Sequence, residues 1–247
     1  MRVLGIIPAR YGSTRFPGKP LAKIGDKTMI RRTYEQVLKS SLDDVVVATD
    51  DQRIFDEVLA FGGKAVMTRA DHKSGTDRCR EALDLMGGGF DAVVNIQGDE
   101  PFIDPEMIDQ VTDLIRRDDT CLATLAKKIT DPSMLDNPNV VKVVFNTQGN
   151  ALYFSRHPLP FVRGCERNQW LEKTDYFRHI GIYAYKADTL RAIASMPMGR
   201  LEQAESLEQL RWLENGLPIR VAITKCDDSI GIDTPQDLLN LPQDMLR

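Results

Sequence analysis

Short apolar runs alternate with amphipathic stretches through the first half of the chain. The apolar runs lie at 3–7, 45–49, 65–68, 92–96 and 121–126. Between them, apolar positions recur with helical spacing at about 28–39, 51–61, 74–86 and 105–117. Apolar strands followed by amphipathic helices are typical of βαβ units on a parallel sheet. The pattern therefore predicts an α/β fold.

The pattern changes after Asn139. The runs VVKVVF at 140–145 and ALYFS at 151–155, with a turn at 148–150, predict a β-hairpin. Further elements are expected as a strand at 179–185, helices near 187–195 and 203–214, a strand at 219–223 and a helix from Pro235. Residues 163–174 are polar and predict an irregular, mobile loop. We expect an antiparallel insertion in this half, suited to an acceptor site or an oligomer contact.

Composition, cysteine spacing and net charge argue against several classes of protein. The 247 residues are 42% hydrophobic and 28% charged, which predicts one globular domain over 1–247. The absence of a signal-peptide pattern and of about 18 consecutive apolar residues predicts a soluble, cytoplasmic protein without membrane insertion. The four cysteines form no CxxC pair, so neither a disulfide framework nor a zinc site is indicated. A net charge of −4 argues against nucleic acid as a partner.

Against this mild negative charge, the loop after the first strand is strongly cationic. Residues 6–21 read IIPARYGSTRFPGKPL, and no acid occurs before Asp26. Arg10, Arg15 and Lys19 therefore gather positive charge at the carboxyl end of a strand, where α/β sheets bind ligands. A nucleoside triphosphate is the simplest polyanionic ligand, although such a loop can equally be a solvated connection.

A P-loop is the rival interpretation of GSTRFPGK at 12–19, and it fails in detail. Five residues separate the two glycines, where the P-loop has four, and Pro20 replaces the Ser or Thr that holds magnesium. Pro17 and Pro20 lack an N–H group and fix the backbone. We therefore expect a stiff, extended loop that holds phosphates mostly through side chains.

Two acidic positions are candidate magnesium ligands. Asp99 follows the strand at 92–96 in the sequence QGDEP, and Asp233 precedes a predicted helix in GIDTP. Magnesium takes one or two carboxylates together with phosphate oxygens and water. Taken alone, Asp99 could be an exposed turn residue and Asp233 a helix N-cap.

Other polar residues suit a ligand as well as a structural role. Ser74 and Thr76 open the third helix, where free N–H groups can hold an anion or a hydroxyl can cap the helix. On the strand at 179–185, alternate residues share one face and form a polar and aromatic strip that suits a polyhydroxylated ligand. This strip comprises His179, Tyr183 and Tyr185. In each case a core or dimer contact is the structural alternative.

Taken together, these motifs resemble a known family. IPARYGSTRFPGKPL, TRADHKSGTDR, NIQGDEP, NPNVVKVV, ALYFSR, RHIGIYAY, LEQLR and GIDTPQDL follow in the order and spacing of the 3-deoxy-manno-octulosonate (Kdo) cytidylyltransferases, or CMP-Kdo synthetases. The resemblance implies a three-layer, glycosyltransferase-A-like nucleotidyltransferase with a mostly parallel central sheet. It also implies a homodimer that uses CTP, Kdo and Mg²⁺ in lipopolysaccharide synthesis, with 140–185 supplying sugar-binding and dimerisation strands.

The resemblance also implies roles for individual residues. Catalysis falls to Arg15, Lys19, Asp99 and Asp233, of which Asp99 and Asp233 hold magnesium. The nucleotide site comprises Arg10, Ser13, Arg15, Lys19, Ser74, Arg78 and Gln97. The sugar site comprises Arg156, His179, Tyr183, Glu208 and Gln209.

Several alternatives stay open from the sequence. The acceptor could be 8-amino-Kdo or another acid sugar such as sialic acid. A non-catalytic nucleotide-binding module would bind CTP without releasing pyrophosphate, and a purely structural dimerising domain would leave the cationic loop empty. No residue has an evident claim to be a general base.

Overall fold

A computed structural model describes residues 1–12, 15–227 and 230–246. Its strands are β1 (Val3–Ala9), β2 (Lys23–Ile24), β3 (Lys27–Thr28), β4 (Asp44–Thr49), β5 (Ala65–Met67), β6 (Ala92–Asn95), β7 (Leu122–Lys128), β8 (Lys142–Phe145), β9 (Ala151–Ser155), β10 (Phe177–Lys186) and β11 (Arg220–Ile223). Its α-helices are α1 (Met29–Val37), α2 (Gln52–Ala60), α3 (Gly75–Leu85), α4 (Pro105–Ile115), α5 (Ser133–Asp136), α6 (Trp170–Lys173), α7 (Ala187–Ala194), α8 (Arg200–Glu205), α9 (Gln209–Glu214) and α10 (Pro235–Leu239). Short 3₁₀ turns cover Lys19–Leu21, Arg167–Gln169 and Gln243–Leu246.

One large sheet organises the described residues. Its strands follow the order β11-β7-β10-β6-β1-β4-β5, and the β8–β9 hairpin is attached through β10. Along that path every strand runs parallel to its neighbour except β10, which is antiparallel to both β6 and β7. This mostly parallel α/β architecture confirms the predicted fold class.

The helices cover both faces of this sheet. Successive residues of β1 alternate between them, so that Val3 and Ile7 pack with α1, α2 and α4. Leu4 and Ile6 pack on the opposite side with α3, α7 and α9. The two-residue period of a strand thus divides the buried side chains into two apolar layers. None of the described helices has the length and apolar character that crossing a bilayer requires.

The second half departs from the expected pattern at three places. The strand predicted at 179–185 begins at Phe177 and lies inside the main sheet, because its residues 182–185 are buried and need cover on both faces. The helix predicted at 203–214 is two helices, α8 and α9, separated by Ser206 in the left-handed conformation with φ 52°.

The third departure is the segment predicted as an irregular loop at 163–174. It contains the turn Arg167–Gln169 and the helix α6. Trp170 anchors it, since its ring lies 5.0 Å from that of Phe161 and 6.2 Å from that of Tyr176. The small β2–β3 hairpin has strands of only two residues each, too short for a recognisable apolar pattern.

Candidate active site

A cleft of about 270 Å³ opens where the loops after β1, β5 and β6 meet. These loops leave the carboxyl ends of parallel strands, the usual ligand position in open α/β sheets. The segment before α10 closes the same cleft from the far end of the sequence. Its walls are formed by Pro8, Ala9, Arg10, Arg15, Lys19, Pro20, His72, Lys73, Ser74, Gly75, Arg78, Gln97, Gly98, Asp99 and Asp233.

Two carboxylates converge on one ammonium group in this cleft. Lys19 Nζ lies 2.6 Å from Asp99 Oδ2 and 3.2 Å from Asp233 Oδ1. Arg15 adds a guanidinium nitrogen 3.2 Å from Asp233 Oδ1. The Lys19 side chain is only 13% exposed, so this contact is better shielded from water than an ordinary surface ion pair. In this arrangement a charged ligand can replace one partner of each ion pair, a metal ion at the carboxylates or an anion at the cations.

Backbone geometry explains why Asp99 and the first loop meet. Gly98 packs against the end of β1 so closely that a Cβ atom there would stand 2.9 Å from the Pro8 carbonyl oxygen. Any larger residue would push the Asp99 loop away from the cationic loop. Glycine at 98 is therefore a requirement of this close approach.

Asp233 is held by the backbone, and its carboxylate faces Lys19 and Arg15 in the cleft. The Ile232 N–H donates to the Asp99 carbonyl oxygen at 3.0 Å, which joins the two acidic segments. Thr234, not Asp233, caps α10, and its hydroxyl accepts from the Asp237 N–H. The N-cap alternative for Asp233 is thus wrong. The segment before it is also not a strand in the described structure, although its short apolar pattern resembles one.

Most of the predicted nucleotide-site residues line the cleft. Arg10, Arg15, Lys19, Ser74, Arg78 and Gln97 all belong to its walls. Ser13 lies outside the described residues. The structure thus brings the described members of this set together, while their contacts with a nucleotide stay predictions.

Two of these residues already have structural partners. The Ser74 hydroxyl caps α3 by accepting from the Asp77 N–H, and the Asp77 carboxylate accepts from the Ser74 N–H in return. The Arg78 guanidinium donates to Asp50 Oδ2 at 3.0 Å and to the Thr68 hydroxyl. With its side chain only 5% exposed, Arg78 fixes the wall of the cleft.

The predicted sugar-site residues lie beyond Gln97. The Gln97 side-chain amide donates to the Gly181 carbonyl oxygen at 3.4 Å, at the point where the register of β10 shifts. Of the predicted sugar-site residues, Arg156 follows β9, His179 and Tyr183 lie on β10, and Glu208 and Gln209 lie at the start of α9. This contact therefore connects the nucleotide cleft with the candidate sugar side.

On β10, His179 is partly buried among aromatic rings and uncharged. Its ring lies 5.2 Å from those of Phe154 and Tyr183, and Nε2 lies 3.0 Å from the Thr124 hydroxyl. Thr124 donates its hydroxyl to the Ile182 carbonyl oxygen at 2.7 Å, so Nε2 carries the proton in the pair with Thr124. Burial lowers the pKa of His179 to about 3. The imidazole is consequently neutral near pH 7.

Glu208 joins the sugar side to the start of α3. Its Oε2 accepts from the Thr76 hydroxyl at 2.8 Å, and Oε1 has no hydrogen-bond partner among the described residues. Burial raises the pKa of Glu208 above its usual value, although the Thr76 contact opposes the shift. The Tyr183 hydroxyl is also buried and unpaired within the described part of the chain. Both atoms are buried, and neither residue belongs to the wall of the described cleft.

The Arg156 side chain is already hydrogen-bonded to the backbone and Gln209 is buried, so neither is an open binding group. The Arg156 guanidinium donates to the carbonyl oxygens of Glu205, Pro138 and Ser206 at 2.7, 2.9 and 3.3 Å. It therefore braces the break between α8 and α9. Gln209 is only 5% exposed. Tyr185 of the predicted strip is fully buried beneath the edge of Trp212.

Sequence analysis missed some residues of the cleft. His72 and Lys73 form part of its wall, and the His72 ring contacts the Glu81 carboxylate. The position of Thr76 at a helix start does not reveal its contact with Glu208. The position of His72 and Lys73 directly before the Ser74 cap was the available signal for them.

Comparisons with known proteins agree with this architecture. The cytidylyltransferase family model matches residues 4–223. The 3-deoxy-manno-octulosonate cytidylyltransferase of Bacteroides thetaiotaomicron is 57% identical over 241 residues, covering 96% of both chains. That of Thermodesulfovibrio yellowstonii is 50% identical over 250 residues, again covering 96% of both.

Solved structures extend the comparison. One described as CMP:2-keto-3-deoxy-manno-octonic acid synthetase complexed with CTP has a TM-score of 0.89 and 44% identity, covering 97% of this chain and 96% of that one. The 4-diphosphocytidyl-2C-methyl-D-erythritol synthase of Anaerococcus prevotii shares the fold, with a TM-score of 0.62 at 14% identity, covering 96% of this chain and 93% of that one. With matches that span nearly the whole of both chains, this protein belongs to the family of 3-deoxy-manno-octulosonate cytidylyltransferases.

Proposed function

We propose that this enzyme transfers CMP from CTP to Kdo, giving CMP-Kdo and pyrophosphate for lipopolysaccharide synthesis. The observation that carries the proposal is the meeting of Arg15 and Lys19 with Asp99 and Asp233 in one cleft. Relatives that are about half identical over nearly their whole length are named for this activity. The structure described with CTP belongs to the same group of proteins.

The carboxylates Asp99 and Asp233 fit a magnesium ion. Both offer hard oxygen atoms, and both lie within 3.2 Å of the same ammonium nitrogen, so their oxygens already face one position. Two carboxylates leave room for the phosphate oxygens and water that complete a magnesium shell. When bound, magnesium supplies positive charge that stabilises the phosphate oxygens.

The cationic loop would handle the phosphates. Arg10, Arg15 and Lys19 lie at the cleft wall and would bind the triphosphate oxygens. The C2 oxygen of Kdo would attack the α-phosphorus in line and lose its proton to solvent, while the bond from the α-phosphorus to the bridging oxygen breaks and negative charge grows on the departing pyrophosphate. Fixed cations beside the leaving group lower the energy of that transition state. No covalent protein nucleophile is required.

The candidate sugar side would hold Kdo through polar side chains. His179 stays uncharged at neutral pH and Tyr183 offers a buried, unpaired hydroxyl. Glu208 Oε1 accepts no hydrogen bond among the described residues, although the Arg211 guanidinium lies 4.0 Å away. Because unpaired buried polar groups strongly reject ligands that cannot complete them, this side would set the choice of sugar. Arg156 and Gln209 would shape its wall.

Pyrophosphate release with CTP and Mg²⁺ tests the proposal directly. Kdo, 8-amino-Kdo and sialic acid are compared as acceptors at matched concentrations, with CTP alone as the blank. We expect the highest kcat/KM with Kdo. Preference for 8-amino-Kdo or sialic acid would overturn the choice of sugar, and CTP binding without release in any mixture would support the non-catalytic module.

Assembly and compartment belong to the same proposal. The β8–β9 hairpin and the segment after it expose Leu152 and Phe161, which are 61% and 74% exposed. Apolar residues exposed in this way support a homodimer formed through 140–185, which sedimentation equilibrium can test. We place the enzyme in the cytoplasm, where CTP is made, and treat 1–247 as one domain.

A further inference from the structure

Tyr11 lies in the cationic loop directly after Arg10, and a guanidinium covers its ring. The Arg53 Cζ atom stands 3.3 Å from the centre of the Tyr11 ring. Arg53 is itself held by two bonds to the Asp51 carboxylate, at 2.9 and 2.7 Å. Asp51 also caps α2, so the guanidinium is fixed to the start of a helix. The ring therefore rests against a defined part of α2.

Gly18 packs against the same ring from within the loop. Its N–H donates to the Tyr11 carbonyl oxygen at 2.9 Å. A Cβ atom at Gly18 would lie 3.0 Å from two ring atoms of Tyr11, and the backbone has φ 72°. Glycine thus meets two demands here, a left-handed conformation and contact with an aromatic face. Tyr11 joins the beginning of the loop to its end.

Two charged residues of the loop lie next to the contact between Tyr11 and Gly18. Arg10 precedes Tyr11, and Lys19 follows Gly18 and begins the 3₁₀ turn. Lys19 Nζ then reaches Asp99 and Asp233. A displaced Tyr11 ring would let Gly18 move, and with it the ammonium group that touches both acids.

We propose that Tyr11 and Arg53 are positioning residues that fix the cationic loop, so that Arg10 and Lys19 are aligned for the CTP phosphates before the nucleotide binds. The aromatic ring carries most of this role, and the tyrosine hydroxyl adds to it, since its oxygen would lie 3.1 Å from a Cβ atom at Gly18. The consequence for CTP rests on the proposed function, whereas the order of the loop does not.

The test separates these two parts. Hydrogen exchange of the Gly18 amide is measured by NMR in ligand-free Tyr11→Leu, Tyr11→Phe and Arg53→Met proteins. We expect exchange to accelerate about tenfold in Tyr11→Leu and about threefold in Arg53→Met, in line with the size of cation–π contacts. Tyr11→Phe should stay close to the wild type, because phenylalanine keeps the ring that Arg53 covers and loses only the hydroxyl.

Steady-state kinetics test the consequence for CTP. The KM for CTP should rise about tenfold in Tyr11→Leu while the KM for Kdo stays within about twofold, and Tyr11→Phe should restore both. Arg31→Met is the matched control, since Arg31 covers Phe61 at 5.8 Å on the neighbouring helix α1 and should change neither quantity.

Each result decides one part. Unchanged Gly18 exchange in both Tyr11→Leu and Arg53→Met overturns the positioning role, whatever the activity. Faster exchange with an unchanged KM for CTP shows that Tyr11 and Arg53 hold Gly18 in place but that this contact does not affect CTP binding. Wild-type protein without CTP turnover overturns the proposed function and leaves the exchange result standing.

Discussion

Asp99 is the single residue on which the proposed chemistry depends most. Its carboxylate is 33% exposed, so its contact with Lys19 contributes at most about 1 kcal/mol to folding. In Asp99→Asn we expect turnover to fall at least about a hundredfold and the magnesium concentration for half-maximal rate to rise, since an amide is a weak ligand. Pyrophosphate release across a magnesium series measures both.

Stability and a matched variant complete that experiment. The unfolding free energy of Asp99→Asn should stay within about 1 kcal/mol of the wild type. Asp113→Asn makes the same chemical change at a carboxylate that is 74% exposed on α4, and it should leave the magnesium series unchanged. Near-normal pyrophosphate release by Asp99→Asn would remove this residue from the metal site.

His179 predicts a specific dependence of stability on pH. Its pKa is about 3 in the folded protein and about 6.5 in an unfolded chain. Below about pH 6.5 the unfolded state binds a proton that the folded state does not, so stability is lost as pH falls. From pH 7 to pH 5 this residue should cost about 2 kcal/mol. Urea unfolding at the two pH values gives the wild-type loss.

Comparison with substituted proteins isolates the histidine. His179→Gln cannot titrate, so its loss between pH 7 and pH 5 should be about 2 kcal/mol smaller than that of the wild type. His157→Gln removes an exposed histidine and should leave the loss unchanged. Equal pH dependence in all three proteins would mean that His179 is protonated in the fold.

Pattern alone located Asp99 but could not settle the role of Asp233. Asp99 follows an apolar strand, and parallel strands present their carboxyl ends to a common crevice. Asp233 precedes a helix, a position that N-caps occupy equally often. The Asp237 N–H donates to the Thr234 hydroxyl, which excludes Asp233 as the N-cap, and only the folded structure shows which of two neighbouring residues makes that bond.

At the scale of elements, apolar periodicity predicts the helices and strands whose formation depends mainly on residues near one another in sequence. The helices α1 to α4 and the strands between them occur where their apolar spacing places them. The break between α8 and α9 was not predictable, because it depends on partners distant in sequence. Arg211 pairs with Glu202 across the break at 2.6 Å, while the Arg156 guanidinium holds the Glu205 and Ser206 carbonyl oxygens.

The start of α3 allows a test of whether Ser74 only caps the helix or also binds the nucleotide. Ser74→Ala removes the cap and should cost about 1 kcal/mol of unfolding free energy in urea titrations. If Ser74 also binds the nucleotide, as the family resemblance implies, the KM for CTP should rise about threefold or more. A normal KM beside the lost stability would restrict Ser74 to capping.

A second cap provides the control for that experiment. Asp104 caps α4 by accepting from the Glu106 N–H, and it is absent from the cleft wall. Asp104→Ala should therefore lose a similar free energy of unfolding while its KM for CTP stays at the wild-type value. An equal rise of KM in both variants would assign the effect to general loosening of the fold.

At the scale of the whole molecule, sequence indicates the strands but not their order. β10 lies between β6 and β7, although about fifty residues separate it from β7 and still more from β6. Burial of 182–185 on both faces is compatible with an interior strand, but it does not select the neighbours. Long-range packing selects them, and with them the distance from the nucleotide cleft to the sugar side.

The cleft joins the two ends of the described chain, which predicts how CTP affects unfolding. Arg10 follows the first strand and Asp233 precedes the last α-helix, so a ligand that touches both stabilises the folded chain as a unit. At a hundred times its Kd, CTP with Mg²⁺ should add about 2.7 kcal/mol to the unfolding free energy. Calorimetry should show one transition that shifts upward as a whole, while Mg²⁺ alone or CTP with Asp99→Asn shifts it less. Two transitions, of which CTP moves only one, would divide the chain into separate folding units and contradict the single domain over 1–247.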